Sequence, residues 1–184
     1  MKNCLFAIKH SLMVTIRTAR EEDIPAMLEI YNHVILNTTA VYHYEAHTME
    51  MRKAWYDSRI QGGFPVFVAE SEGRVVGFSS YGPFRPWPAY KYTMENSVYV
   101  AEGQRGKGIA KLLMEPLVRT ARQKDVHAII AVIDGSNEVS KRLHRAFGFE
   151  EVGHFRQVGY KFGAWLDLTF MELVLDTPAH PVEG

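Results

Sequence analysis

The sequence predicts one α/β domain built on a mixed α+β sheet with helices packed against it. The first sign is "AIIAVI" (residues 128–133), a continuous apolar run that suits a strand covered on both faces. The second is the pair "PVFVAE" and "RVVGFSSYGPF", which flank Ser71-Glu72-Gly73 as the arms of an antiparallel hairpin. The third is the stretch behind Gly108, where Ile109, Leu112, Leu113, Leu117, Val118 and Ala121 share one helical face.

In chain order, "VTIR" (14–17) alternates as a strand does. Asp23 is placed to cap the next helix, Pro25 is tolerated in a first turn, and Ile24, Met27, Leu28, Tyr31 and Val34 recur at helical spacing. A second helix is expected from Thr48 to Gln61, stopped by Gly62 and Gly63. The hairpin follows, then the strand "ENSVYVA". Within the helix after Gly108, Pro116 removes a backbone donor at a cost of about 3 kcal/mol, so a kink is expected there. The buried strand at 128–133 leads to a helix over 138–147 and to strands near 150–158 and 167–175. The order is β-α-α-β-β-β-α-β-α-β-β.

A chain of 184 residues with 47% hydrophobic content can bury one core, and no Gly/Ser-rich or Pro-rich tract divides it. Residues 1–12 are expected to be a disordered extension with Met13 a candidate start, 13–176 the single domain, and 177–184, "TPAHPVEG", a disordered tail. The twenty-one basic and twenty-one acidic residues balance, which argues against nucleic acid or an anionic membrane as a partner. No apolar stretch approaches the ~20 residues needed to span a bilayer. "MKNCLFAIKHSLM" lacks the pattern of a signal peptide, and the lone Cys4 suits a reducing, cytoplasmic setting.

Function has to be sought in the loop "VAEGQRGKGIAKLL" (100–113). Gly103 and Gly108 have P-loop spacing, but Ile109 and Ala110 stand where lysine and a hydroxyl residue belong. The dinucleotide fingerprint fails as well, because Lys111 replaces its third glycine. What remains is Arg105-x-x-Gly108-x-Ala110 between a strand and a helix. Such a loop either caps a helix as a basic turn or offers backbone N–H groups and a positive dipole end to a phosphate.

This motif resembles the cofactor loop of the GNAT superfamily of acyl-CoA-dependent N-acyltransferases. "SNEVSKRLHRAFGF" resembles that family's second cofactor segment, with Asn137, Ser140, Leu143 and Gly148-Phe149 in the matching places. "NTTAVY", "SYGPFRPWPAY", "TMENSVYV" and "QVGYKFGAWLDLTFM" are similar to the phosphinothricin and methionine sulfoximine N-acetyltransferases within it. Where some of these relatives have histidine, this chain has Phe162. The resemblance spans residues 14–175 and implies the GNAT fold, acetyl-CoA as co-substrate and a homodimer.

It also implies roles. Glu95 matches the catalytic acidic residue and would accept the ammonium proton, although a strand-end carboxylate can be merely that. Val98, Tyr99 and Val100 would pair with the pantetheine arm, or serve as core residues. Amides from Gly106 through Lys107, Gly108, Ile109 and Ala110 to Lys111 would hold the pyrophosphate, with Arg105 and Lys107 screening its charge. Asn137 would bond the pantetheine or cap its helix, and Ser140 would lie beside it. His144 stands where many GNAT enzymes place a tyrosine that protonates the leaving thiolate. Arg85 is suited to grip an amino acid carboxylate, with Pro86 and Trp87 walling the pocket and Asn96 and Ser97 completing it.

The expected reaction is acetyl transfer to the α-amino group of a small amino acid analogue by direct attack in a ternary complex. A GNAT enzyme acting on polyamines, antibiotics or a protein N-terminus is the alternative, as is an acyl-CoA-binding module without turnover. No metal is expected: the "HYEAH" stretch places His43 and His47 four apart but lacks the metalloprotease pattern and a third ligand.

Overall fold

Local sequence preferences give the elements in the expected order: strand β1 (Val14–Thr18), helices α1 (Ile24–Asn37) and α2 (Met49–Gln61), and strands β2 (Val66–Ser71), β3 (Arg74–Pro83) and β4 (Thr93–Val100). There follow helix α3 (Ile109–Gln123), strand β5 (Ala128–Asp134), helix α4 (Glu138–Arg145), and strands β6 (Glu150–Lys161) and β7 (Ala164–Val174). The computed structural model describes residues 14–183, so the expectations for the 1–12 extension and Met13 fall outside the described residues. Residues 177–183 form no helix or strand, but hydrogen bonds tie them down: Thr177 Oγ1 donates to Val126 O, and Val182 N to Tyr92 Oη.

The seven strands make one sheet in the order β1-β2-β3-β4-β5-β7-β6. Neighbours are antiparallel except β4 and β5, which run parallel, as the intervening α3 crossover requires. Two tight turns have the chemistry their geometry demands. Glu72-Gly73 and Phe162-Gly163 each put two successive residues at positive φ, the signature of a two-residue hairpin loop.

Helices cover both faces. On β3, Gly77 approaches Ile109 and Leu113 of α3, while the adjacent Phe78 points to the opposite face and packs with Met27 and Ile30 of α1 and Trp55 of α2. The larger core joins Met114, Leu117 and Ala121 of α3 to Ile129, Ala131 and Ile133 of β5 and to Met171 of β7. Helix α3 continues across Pro116, which is buried in it, so the proline does not end the helix.

One expected cap is not formed. Asp23 lies in helical conformation and leaves the α1 N-terminus uncapped, because its carboxylate is bound by Arg17 and by the Arg20 N–H. The Arg17 guanidinium holds the Asp23 carboxyl below the usual range. Thr48 does cap α2, accepting from Met51 N at 3.2 Å.

Two segments far apart in sequence are joined by a single ammonium group. Lys161, 3% exposed, ends β6 and donates to Ile35 O, Thr38 O and Val41 O at 2.6, 2.9 and 2.7 Å. It thereby satisfies the carbonyls that α1 and its following loop leave open. The Tyr42 ring lies against Gly159, where a Cβ would overlap it, and Tyr44 Oη donates to Tyr160 O at 2.6 Å. Lys161→Met removes all three bonds and leaves buried carbonyls unpaired. It is expected to destabilise the fold by about 3 kcal/mol and lower Tm by roughly 6–12 °C. Denaturant and thermal unfolding measure both, and a loss under about 1 kcal/mol would dismiss the clamp.

Candidate active site

Strands β4 and β5 pair only from Thr93 to Glu95, opposite Ala128 to Ile130, although β4 runs on to Val100 and β5 to Asp134. Beyond Glu95 the two strands part. Asn96 to Val100 keep β3 as a partner on one side and face a cleft on the other. Val98, Tyr99 and Val100 are therefore a free strand edge as well as packing residues: Val98 and Val100 contact the α3 side, and Tyr99 packs between Tyr31 and Phe78.

The glycine loop opens at the end of that edge. Gly106 and Gly108 have φ of +76° and +80°, and a Cβ added at either would meet nothing within 4 Å, so both glycines are required by backbone conformation and not by crowding. The N–H groups from Gly106 to Ala110 find no acceptor among the described residues. Lys111 differs from the expectation, since its N–H already donates to Gly108 O at 3.0 Å. Arg105 Nε reaches back to Val100 O, and Lys107 Nζ rests on Gln104 Oε1, leaving both charges exposed beside the loop. Open N–H groups, a helix N-terminus and two cations fit the diphosphate of acetyl-CoA, and the free strand edge fits its amide-bearing arm.

Across the cleft, Asn137 caps α4 by accepting from Ser140 N at 3.1 Å. His144, 5% exposed, sits in α4 with Nδ1 2.8 Å from Ser140 O and Nε2 3.0 Å from Asn96 Nδ2. A carbonyl only accepts, so Nδ1 carries the proton and Nε2 takes the Asn96 N–H. Burial lowers the His144 pKa, against a weaker opposing pull from Ser140 O. A neutral imidazole whose one proton faces the backbone is poorly placed to protonate a thiolate, which is the physical objection to the general-acid role expected for it.

The acceptor side lies on the opposite face of β4, under α1 and α2. A cavity of about 240 Å3 is lined by Glu95, Asn96 and Ser97 from β4, Pro83 from β3, Tyr31 and Tyr99, and His47, Arg52, Trp55 and Arg59. Glu95 stands at its mouth with 41% of its side chain exposed. Burial raises the Glu95 carboxyl above its usual value, while Arg85 and Arg59 pull it back. Arg85 lies 4.0 Å from Glu95 Oε2, stacks on Phe84 and donates to Phe84 O. Arg85, Pro86 and Trp87 do not line the cavity, and Trp87 is 62% exposed beside Tyr90. His43 and His47 pack edge to face at 5.1 Å, and His47 belongs to the cavity wall.

Sequence reasoning misses Arg52 and Arg59. Both stand on the inward stripe of α2, at i and i+7 with Trp55 between them. Arg59 lies over β3 at Gly82, where any Cβ would collide with its guanidinium, and Gly82 is the register partner of Glu95. The available signal is the stripe itself: an arginine-tryptophan-arginine face on a helix with few other core-facing residues.

Comparison with known proteins agrees with this geometry. Residues 16–170 match the family model described as an acetyltransferase (GNAT) domain. The chain is 44% identical, over 90% of its length and 96% of the relative's, to the L-methionine sulfoximine/L-methionine sulfone acetyltransferase of Pseudomonas aeruginosa. It is 40% identical, over 91% of its length and 98% of the relative's, to an L-amino acid N-acyltransferase of Escherichia coli. A GNAT superfamily phosphinothricin acetyltransferase from Sinorhizobium meliloti, solved in complex with AcCoA, superposes with a TM-score of 0.89 at 36% identity, covering 93% of this chain and 94% of that one. A strand edge opened beside a glycine loop at a helix N-terminus, found together with these matches, makes the chain a member of the GNAT acetyltransferase family.

Proposed function

We propose that the chain transfers the acetyl group of acetyl-CoA to the α-amino group of a small amino acid analogue of the phosphinothricin, methionine sulfoximine or methionine sulfone type. The observation that carries this reading is the position of Glu95. It is the last residue of β4 paired with β5, so it stands where the acceptor cavity meets the opened strand edge. The names of the relatives supply the substrate class.

In this reading Val98, Tyr99 and Val100 hold the pantetheine arm, and the amides from Gly106 to Ala110, with Arg105 and Lys107, hold the pyrophosphate. Asn137 and Ser140 face the arm from α4. Bound acetyl-CoA supplies an activated acyl carbonyl. Glu95 takes the proton from the incoming ammonium, directly or through water, and the neutral amine attacks without a covalent enzyme intermediate. Arg85 holds the acceptor carboxylate at the mouth, with Asn96 and Ser97 beside it. His144 keeps Asn96 in place. Two guanidinium groups near Glu95, Arg59 and Arg85, and a third in the cavity wall, Arg52, repel a polyamine, which speaks against that alternative.

Acetyl-CoA as donor assigns the reaction to the cytoplasm, and no described helix is long and apolar enough to cross a membrane. A second copy of the chain is the proposed partner. β6 is an edge strand of twelve residues, and the β6–β7 hairpin exposes Val152, Phe155, Val158, Tyr160, Phe162 and Trp165.

Three measurements test these statements. Glu95→Gln is expected to lower kcat for thiol release from acetyl-CoA by roughly 10²–10⁴ while coenzyme binding persists; full activity at neutral pH would remove Glu95 as the base. Because burial raises the Glu95 pKa, the acid limb of kcat/KM should fall above 4.5, with activity rising as pH climbs through it. Arg85→Gln withdraws a cation that stabilises the carboxylate, so that limb should move to higher pH. A limb unmoved or shifted downward would contradict the electrostatic assignment. Phe155→Glu combined with Trp165→Glu should convert a dimer to a monomer in sedimentation, and a wild-type monomer would refute the partner.

A further inference from the structure

Among the described residues, Arg52 has no counterpart for its charge. It is 2% exposed, its Nε and Nη2 make no hydrogen bond, and burial pushes its pKa down with no carboxylate to oppose it. Its guanidinium carbon lies 3.8 Å from the Tyr31 ring centroid and 4.8 Å from that of Trp55, so the plane is fixed by aromatic faces. Arg59 stands seven residues along the same helix face, half-buried, with its Nε also unpartnered. The ring nitrogens of His47, on the same wall, are buried and unpartnered too. A buried guanidinium left this way is costly, and a mere packing role would be served as well by a methionine. Arg52, Arg59 and His47 all line the cavity that begins at Glu95.

The cavity thus has two ends. At one end is Glu95, with Arg85 4.0 Å from its carboxylate and each side chain 41% exposed, and at the other is the buried Arg52. We infer that Arg52 and Arg59 form an oxyanion subsite that receives a tetrahedral oxo group at the tip of the acceptor side chain, such as a phosphinate or a sulfone. The inference rests on the proposed acetylation of an amino acid analogue and extends it. The α-amine and α-carboxylate stay at the mouth, a short apolar chain crosses the Tyr31, Trp55 and Tyr99 walls, and the terminal oxygens meet the guanidinium fork. A site built to bond such oxygens rejects the analogue that lacks them, because its donors would remain unpaired. Arg52 and Arg59 would then decide selection among amino acids, a task Arg85 cannot perform, since every amino acid offers it a carboxylate.

The test is calorimetric titration of the coenzyme A-saturated protein with phosphinothricin, methionine sulfone and norleucine, the last sharing the amino acid head without the oxo group. Wild type should bind phosphinothricin at least ~100-fold more tightly than norleucine. Arg52→Met and Arg59→Met should each shrink that ratio tenfold or more, roughly, while leaving norleucine affinity nearly unchanged. Arg85→Met should weaken all three acceptors alike. Should Arg52→Met fail to fold, Arg52→Lys, which keeps charge but loses the fork, replaces it. Equal loss for oxo and non-oxo acceptors, or an unchanged ratio in both variants, would overturn the subsite. Selective binding with no thiol release from the same acceptors when acetyl-CoA replaces coenzyme A would instead refute acetyl transfer while upholding the subsite.

Discussion

Strands β4 and β5 run side by side for three residues and then separate, and a sheet cannot divide in this way without leaving peptide groups without partners. Each such group costs about 1–3 kcal/mol when buried from water. The gap persists because each strand is anchored on its other side: β4 to β3 from Gly77 to Pro83, and β5 to β7 from Ala128 to Asp134. The Asn96–His144 hydrogen bond links β4 to α4 across the opening, and Arg105 ties the glycine loop to the end of β4. A ligand that presents amides along its length and a diphosphate at one end answers both deficits at once. The donor site is therefore the completion of an interrupted sheet.

Residues of this chain differ in how far their behaviour can be read locally. The strands and helices are legible because each carries its own period, and both tight turns end in glycine at positive φ. Gly106 and Gly108 are legible for the same reason: the sequence places glycine where only a left-handed backbone will serve. Glu95 is legible through its neighbours in "TMENSVYV". Arg52 and Arg59 are not, because in sequence they read as the solvated side of a polar helix. Their inward direction is decided by α2 lying over β3, and the room for Arg59 is made by Gly82 in another element. The state of His144 is hidden for a related reason. Its residue type suggests proton transfer, whereas its state is set by the Ser140 carbonyl one helical turn away. Asp23 likewise has the residue type of a cap, yet a nearby guanidinium claims its carboxylate.

The chain has no net charge, yet the cavity under α2 is cationic: Arg52 and Arg59 line it together with Glu95, and Arg85 stands 4.0 Å from Glu95. That imbalance bears on chemistry as well as on binding. An amine must be neutral to attack an acyl carbonyl, and neighbouring cations disfavour its ammonium form. Arg85 and Arg59 oppose the rise that burial imposes on the Glu95 carboxyl, and a carboxyl so raised is the stronger base for the proton transfer proposed above. An acceptor carrying acidic or strongly polarised oxygens offsets the excess positive charge, and one carrying further cations adds to it. Under the proposed acetyl transfer, these guanidinium groups would recognise the acceptor's oxygens and favour its neutral amine through a single electrostatic field. Removing any of them should disturb recognition and proton transfer together, in proportions set by its distance from Glu95.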